Sequence, residues 1–270
     1  LTKPATVLIE KISDATGVLY EPTRIRRKAK AEADASKTKA LMDLEIEEIQ
    51  KRALNRLVTE EIKKQENIEN ITEKSFDSLK ENATPENIED DWISNFFDKC
   101  KLISDEEMQI LWAQILAGES NNPGTFSKRT IEFISTLDKS DALLFDNLLR
   151  CCWIIGDYQP FIIDYQDNQI YQKNNINFST LSHLDEIGLI SFNPISGFKK
   201  VSQSDTVTIE YFGKLLNLDF KNINPYELQT GMVNLTKIGA DLARVNHPTM
   251  KNNRNEYIDD FYHYIVEKIF

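Results

Sequence analysis

The stretch from Thr23 to Ile71, 49 residues long, contains neither glycine nor proline. Ala, Leu, Glu, Lys and Arg dominate it, and all five are strong helix formers. The stretch follows Glu21-Pro22, where proline should end a first helix, and Thr23 is suited to cap a second one. We therefore predict one long helix from Thr23 to about Ile71.

An apolar stripe runs along this predicted helix without keeping a strict heptad, which favours a bundle or interface helix over a regular coiled coil. Its members are Leu41, Ile46, Ile49, Ala53, Leu54, Leu57, Val58 and Ile62. The part from Lys28 to Lys39 is alanine-rich and has almost no large apolar residue. Because so long a helix cannot be stabilised by burial within one chain, we expect a homo-oligomer that associates through it.

Charge is distributed unevenly along the chain, whose formal net charge is -11. Residues 1–40 carry a net charge of +4, residues 41–150 of -11 and residues 151–270 of -4. A basic cluster near the start of the predicted long helix consists of Arg24, Arg26, Arg27, Lys28 and Lys30. Positive charges at a helix N-terminus oppose the macrodipole, so the cluster indicates an anionic partner.

Three partners fit the basic cluster. The first is acidic protein, either the segment Glu81–Asp91 of the same chain or that segment in a neighbouring subunit. The second is nucleic acid, because Arg24, Arg27 and Lys28 share one helical face. The third is an anionic membrane surface, with the preceding helix lying on it; we expect this least, because that helix has no Trp and a small apolar face.

The fold class that we predict is mainly α with an α+β C-terminal part. Three regions are expected: a long helical region at residues 1–80, a compact helical domain at 81–156 and a winged-helix-like domain with a terminal helix at 157–270. A capping box at Ser104 should begin one middle helix, and another should continue through Trp153. PFIIDYQDNQIYQ is typical of two short strands around Asp-Asn.

The winged-helix expectation comes from two segments, Leu184–Ile190 and Leu235–Leu242, which resemble the L-x-x-x-G-L-I and L-T-x-x-G-x-x-L segments of winged-helix proteins. Many winged helices bind DNA, which requires cations against the phosphates. The helix FSTLSHLDE contains no Lys or Arg, so contacts would fall to Lys199, Lys200 and Lys214 on the wing. A nucleic-acid-binding regulator is therefore the rival interpretation.

No catalytic or cofactor-binding fingerprint occurs in the sequence, and we expect neither cofactor nor metal. His263 and Asp259 have a helical spacing that suits two metal ligands, but no third ligand lies nearby. The cysteines Cys100, Cys151 and Cys152 are predicted to be buried reduced thiols, as in cytoplasmic proteins. Neither a secretion signal nor a transmembrane run is present. Because Leu1 is not an initiator Met, we expect a fragment without its native start.

The stretch DEEMQILWAQILAGESNNPGTFSKRT resembles the signature of an uncharacterised bacterial family of cytosolic helical proteins, and KPATVLIEKISDATGVLYEPTRIRRKAKAEADA resembles the opening of the same family. Its motif residues here are Glu106, Trp112, Glu119, Pro123, Gly124, Ser127 and Arg129. The segment LWAQILAGE is also similar to abortive-infection proteins of the alpha type. That similarity implies a role in bacterial defence against phage, and the family offers no catalytic residues.

These patterns together favour a non-catalytic, oligomeric interaction or sensor protein. Nothing in the sequence argues for an enzyme. Salt-dependent binding of DNA or RNA would distinguish the rival regulator from an interaction protein.

Overall fold

A computed structural model describes residues 2–17, 20, 48–166, 168–202, 204, 206–219, 226–250 and 256–269 of the 270-residue chain. The chain divides into two compact units, Leu1–Thr136 and Leu137–Phe270. The predicted division into residues 1–80, 81–156 and 157–270 stays a prediction.

The described part of the first unit is helical. Its helices are α1 (Lys3–Thr16), α2 (Glu48–Ser75), α3 (Asp90–Cys100), α4 (Glu106–Asn121) and α5 (Lys128–Ser135). Side chains cap three of them: Thr2 accepts the Ala5 N–H, Asp105 accepts two amides of α4, and Ser127 accepts the Thr130 N–H. The predicted cap at Ser104 was wrong by one residue, because Asp105 carries the carboxylate that reaches the first-turn amides.

The core of the first unit lies where α2 packs on α4, and where α3 packs on α1 and α5. Phe96 is at its centre, with ring centroids 5.1 Å from both Trp92 and Trp112. Leu8 and Ile71 close this core from α1 and α2 and are fully buried. The Phe96 ring stacks on Trp92 and contacts Trp112 edge to face, so these rings supply apolar burial together with specific ring geometry.

The second unit mixes helices with antiparallel strands. Its helices are α6 (Lys139–Leu149), α7 (Gln169–Gln172), α8 (Phe178–Glu186), α9 (Lys237–Met250) and α10 (Glu256–Ile269). Its strands are β1 (Cys152–Ile155), β2 (Asp157–Pro160), β3 (Ile190–Phe192), β4 (Phe198–Ser202), β5 (Thr206–Tyr211), β6 (Lys214–Asp219), β7 (Tyr226–Gly231) and β8 (Val233–Leu235). The predicted fold class, mainly α with an α+β C-terminal part, is confirmed.

All strand pairs described in this unit are antiparallel. One sheet has the order β2-β1-β5-β6, and two further pairs are β3-β8 and β4-β7. In the β3-β8 pair, Ile190 lies opposite Leu235 and Phe192 opposite Val233. The core beneath the larger sheet is aromatic: Trp153 stacks on Tyr211 at 4.8 Å and on Tyr262 of α10 at 5.5 Å.

The two segments that suggested a winged helix meet at one point. Thr236 donates its hydroxyl to the Gly188 carbonyl at 2.7 Å and accepts the Gly239 N–H at 3.1 Å. Gly239 must lack a side chain, because a Cβ there would lie 2.0 Å from the Leu189 carbonyl oxygen. The threonine and the glycines of these segments thus hold β3 against the start of α9.

Two local predictions in this unit were wrong. Helix α6 ends at Leu149, and Trp153 belongs to β1. The first strands flank Gly156, whose φ of 73° lets the chain reverse, whereas QIYQ forms the short helix α7. Alternation of apolar and polar residues over so few positions cannot separate a strand from a turn or a short helix.

None of the helices in the described ranges combines the length and the apolar character that crossing a membrane would need.

Candidate interaction surface

The first half of α2 projects beyond the core of its unit. Along the part from Glu48 to Glu66, every residue is exposed or half-buried, whereas burial begins at Asn67. Large apolar side chains are nevertheless present there: Ile49 is 64% exposed, Leu57 54% and Ile62 37%. Exposed aliphatic residues that recur along one helix are typical of an interaction surface.

Of these exposed residues, Ile49 and Leu57 continue the core-facing side of the same helix. A separation of 18 residues is about five turns at ~3.6 residues per turn, so residues so related point the same way. Four residues of the first half have a buried residue 18 positions later in the second half. Asn67 is the counterpart of Ile49, Ile71 of Ala53, Thr72 of Leu54 and Ser75 of Leu57. We call the face formed by Ile49, Ala53, Leu54 and Leu57 the outer stripe.

Buried amides fix the rotation of α2 about its own axis. Asn67 donates its side-chain amide to the Lys101 carbonyl at 2.9 Å. Gln109 of α4 donates to the Asn67 side-chain oxygen at 3.3 Å and to the Ile103 carbonyl at 3.0 Å. Because a buried amide that loses its partners is costly, this network sets the direction in which the outer stripe points. Sequence reasoning missed both residues, since isolated Asn and Gln give no pattern.

Charged residues flank the outer stripe. The basic residues come first along the helix, and the acidic residues Glu60 and Glu61 follow them. The basic residues are Lys51, Arg52 and Arg56. The ion pairs within the helix are exposed: Arg56 Nε is 3.7 Å from Glu60, and Lys64 Nζ is 2.6 Å from Glu61. Such pairs contribute little to stability, so these charges remain able to interact with a partner.

The predicted basic cluster, Arg24, Arg26, Arg27, Lys28 and Lys30, lies outside the described residues. Its proposed acidic counterpart, Glu81–Asp91, is described. Glu81, Glu86 and Glu89 are exposed there. Asp90 contacts Lys11 at 2.5 Å and Asp91 contacts Lys128 at 3.5 Å. Docking of the basic cluster on this segment stays a prediction.

Glu119, a residue of the predicted family motif, anchors the loop between α4 and α5. It is 3% exposed, and each carboxylate oxygen accepts one backbone amide, from Gly124 at 2.6 Å and from Phe126 at 2.9 Å. The Trp92 indole N–H donates to the Phe126 carbonyl at 2.7 Å. The loop that contains Pro123 is therefore fixed by hydrogen bonds to two side chains, Glu119 of α4 and Trp92 of α3.

An open groove of about 440 Å³ lies over this loop, lined by Trp92, Phe126, Glu119, Glu89 and Lys128 among others. Burial raises the pKa of Glu119, and the charge of Glu89 raises it further, whereas the amide hydrogen bonds from Phe126, Gly124 and Thr125 lower it. Since both carboxylate oxygens already accept backbone amides, the arrangement stabilises the loop and leaves no free catalytic base.

The other motif residues also have structural positions. Trp112 is fully buried in the core, and Ser127 caps α5. Gly124 has a φ of 88° at the turn. Glu106 and Arg129 are exposed in the first turns of α4 and α5. Most motif residues therefore lie in or contact the loop between α4 and α5, or lie at the helix ends that this loop connects.

The sequence matches a family model described as a protein of unknown function, DUF2806, over residues 51–261. The chain belongs to this family. The predicted membership of an uncharacterised family is thereby confirmed. No curated protein and no solved structure matches the sequence, and nothing supports the abortive-infection resemblance.

The region shared with DUF2806 begins within α2, ends within α10 and so contains parts of both units. It includes most of the outer stripe and all seven residues of the predicted motif. The basic cluster lies before it.

In this DUF2806 chain the three predicted wing lysines each contact another part of the second unit. Lys199 pairs with Glu227 at 2.7 Å, and Lys214 pairs with Asp259 at 2.5 Å and lies 4.5 Å from the Tyr262 ring centroid. Lys200 donates to the Ile155 carbonyl, and burial lowers its pKa. Binding of nucleic acid would have to compete with these contacts.

Histidines and cysteines of the DUF2806 chain form no metal site among the described residues, which hold no group of three or more His, Cys, Asp or Glu arranged around a common point. The His183 ring is 2.8 Å from the Asp141 carboxylate. The His263 ring contacts the backbone carbonyl of Asp259. All three cysteines are free and buried. Burial raises the pKa of Cys151 to about 12, so its thiol is held in the protonated, unreactive form.

Proposed function

We propose that this DUF2806 protein is a non-catalytic interaction protein that self-associates through the outer stripe of α2. The observation that carries the proposal is the exposure of Ile49 and Leu57 in the outer stripe, on the part of α2 from Glu48 to Glu66, where no residue is buried. Fully burying one such aliphatic side chain contributes roughly 1.5–3 kcal/mol. A second copy could therefore bury three or more of them on each side.

The composition of α2 supports this proposal. Helices in proteins are stabilised chiefly by packing of an amphipathic face, and a projecting half of about five turns gains little from propensity alone. Its ion pairs within the helix are exposed and add little. A partner that covers the outer stripe would supply the missing burial.

A cytoplasmic location and a role in defence against phage are further parts of this proposal. Three free, buried thiols fit a reducing cytoplasm, where such cysteines stay unpaired. A role in defence against phage rests on the segment LWAQILAGE alone, and the proposed self-association does not depend on it.

The rival function is a winged-helix regulator that binds nucleic acid. In its favour, helix α8, strand β3, strand β8 and helix α9 follow the expected order, with Thr236 joining the two characteristic segments. Against it, α8 lacks cations and the wing lysines have contacts within the fold. Absence of DNA or RNA binding at low ionic strength would eliminate the rival.

The mass of the protein in solution tests self-association. Sedimentation or light scattering over a range of concentrations should show a dimer or larger species that dissociates on dilution. Leu57→Glu should weaken association by at least about tenfold, because it places a charge in the contact. Ile110→Glu is the matched control, since Ile110 is also an exposed aliphatic residue on a helix and lies outside the outer stripe.

A monomer at every concentration would refute the proposal. So would an equal loss of association in both variants, because the effect would then not belong to α2. Circular dichroism of each variant separates loss of association from loss of folding.

A further inference from the structure

We infer that strand β6 forms a second self-association contact, in which it pairs antiparallel with β6 of another copy across a two-fold axis at Asn217. This contact is independent of the outer stripe, and β6 belongs to the other unit of the chain. The evidence is the position of β6 at the end of the sheet β2-β1-β5-β6. Among the described residues, β6 pairs with β5 alone.

The register of the β5-β6 hairpin shows which backbone groups face the open edge. Its two-residue turn, Phe212-Gly213, places Lys214 opposite Tyr211. In such a hairpin the residues beside the turn exchange backbone hydrogen bonds, and from there only every second pair does so again. Leu215 and Asn217 therefore point their N–H and C=O groups away from β5.

The pairing on the other side of β5 agrees with this alternation. Glu210 lies opposite Leu215 in the hairpin, and it also lies opposite Ile154 of β1. Because a residue in an antiparallel sheet offers its two backbone groups to one neighbouring strand, Glu210 serves β1 and Leu215 serves the edge. This edge is open to solvent, since Leu215 is 65% exposed and Asn217 is exposed as well.

Strand β6 lacks the devices that keep an edge strand from pairing with another chain. Its six residues include no proline, and its register with β5 runs without a bulge. Its one lysine, Lys214, lies beside the turn and contacts Asp259 of α10 at 2.5 Å, so its charge is directed away from the edge. The chemistry that fits such an edge is the backbone of another extended strand.

A second copy of β6 is a strand that matches. With Asn217 on the axis, Leu216 lies opposite Leu218 of the partner subunit, and symmetry repeats this pair on the other side of the axis. Leu216 is half-buried and Leu218 is buried, so the paired leucines extend the apolar side of the sheet. An axis at Leu216 would instead place the charged Lys214 opposite Leu218 of the partner subunit.

The masses of four proteins test this contact. Two distinct two-fold contacts on one chain predict that wild type forms species larger than a dimer. Leu57→Glu should leave dimers joined through β6, and Asn217→Lys should leave dimers joined through α2. Protein with both substitutions should be monomeric. Light scattering or sedimentation at matched concentrations measures these masses.

Ile195→Lys is the control for the charge that Asn217→Lys introduces. Ile195 is 97% exposed in the turn between β3 and β4 and lies outside β6, so this change should leave the mass as in wild type. Circular dichroism and thermal unfolding of each variant show whether a lower mass reflects lost pairing or lost folding.

A charge exchange in the Leu57→Glu protein tests the position of the axis. Asn217→Lys and Asn217→Asp should each weaken association by at least about tenfold, because the axis places each new charge opposite its own copy. An equimolar mixture of the two should restore dimers, since opposite charges then face each other. A mixture that stays monomeric would overturn the inference.

Hydrogen exchange tests the contact without a substitution. In wild type, residue-resolved exchange of the Leu215 and Asn217 amides should slow as the protein concentration rises, because pairing covers them. The Leu216 and Leu218 amides bond to β5 and should exchange slowly at every concentration. Exchange of the Leu215 and Asn217 amides at one rate throughout would contradict the pairing.

The outcomes separate this inference from the proposed function. A monomeric Leu57→Glu protein would overturn pairing through β6 and leave the outer stripe as the contact. A mass that Asn217→Lys lowers to the monomer and Leu57→Glu leaves unchanged would refute the outer stripe and support pairing through β6.

Discussion

Glu119 shows how one buried carboxylate can serve a loop. Its two oxygens accept the Gly124 and Phe126 amides, and burial is the main reason that its pKa is raised. The folded state therefore binds a proton at Glu119 more tightly than the unfolded chain does. Over the pH window between the pKa of Glu119 in the unfolded chain and its higher pKa in the folded protein, the contribution of this carboxyl to the free energy of unfolding rises as the pH falls.

Replacing Glu119 by Gln should destabilise the protein at neutral pH by about 1–3 kcal/mol, because the new NH₂ group cannot accept one of the two amides. The difference from wild type should widen as the pH falls through that window, since Gln does not titrate. Urea unfolding at several pH values measures both effects. Glu106→Gln, an exposed change in the same unit, should alter stability by no more than about 0.5 kcal/mol. A difference that narrows on acidification would show that the pKa of Glu119 is lowered instead.

The sequence pointed to Glu119 as a notable residue but could not predict what it contacts. Its partners are backbone amides five and seven residues later, which carry no side-chain signal. Asn67 and Gln109 were missed for a related reason: they lie 42 residues apart, and only the fold brings them together. The outer stripe was easier to find, because helical periodicity marks it in the sequence itself.

Among the elements, the junction of β3, β8 and α9 depends on close backbone approach. The Leu189 carbonyl lies where a Cβ on Gly239 would be, and the Thr236 hydroxyl bridges the same turn. The sequence motif predicted this junction well, because threonine and glycine at these positions are required by the local geometry. The alternation in VTIEYF predicted β5, which is confirmed, but the pairing of β5 with β1 and of β4 with β7 was not predicted.

Gly239→Ala should destabilise the second unit by at least about 2 kcal/mol, because the clash with a backbone carbonyl cannot be relieved by a rotamer change. This outweighs the gain of roughly 1 kcal/mol that alanine normally gives in a helix. Thermal or urea unfolding of wild type and variant, compared under the same conditions, measures the change. Thr236→Ser keeps the hydroxyl and serves as the control, with an expected stability close to wild type. An unchanged midpoint for Gly239→Ala would mean that the approach is looser than the structure shows.

At the scale of the whole molecule, each of the two units contains its own buried thiols. Cys100 is in the first unit and Cys151 and Cys152 are in the second, and all three are fully buried. Cys151 is also 3.3 Å from the Tyr257 hydroxyl of α10. Burial keeps these thiols protonated, which lowers their reactivity.

A thiol reagent should therefore modify no cysteine of the native protein at about pH 8, near the ordinary thiol pKa. In denaturant all three should react, and mass spectrometry of the labelled peptides reports which unit has opened. Modification of Cys100 alone would indicate that the first unit has opened. Modification of Cys151 and Cys152 alone would indicate that the second unit has opened. Rapid labelling in native buffer would contradict the burial described above.

One consequence follows from the continuity of α2 between core and projection. Leu57 is ten residues, or about 15 Å, from Asn67, yet the two belong to one rigid rod. A slip of a single residue at Asn67 would swing the azimuth of Leu57 by about 100° and turn it away from any partner. Substitutions that loosen the Asn67–Gln109 amides should thus impair the proposed self-association at a distance, without changing any side chain of the outer stripe.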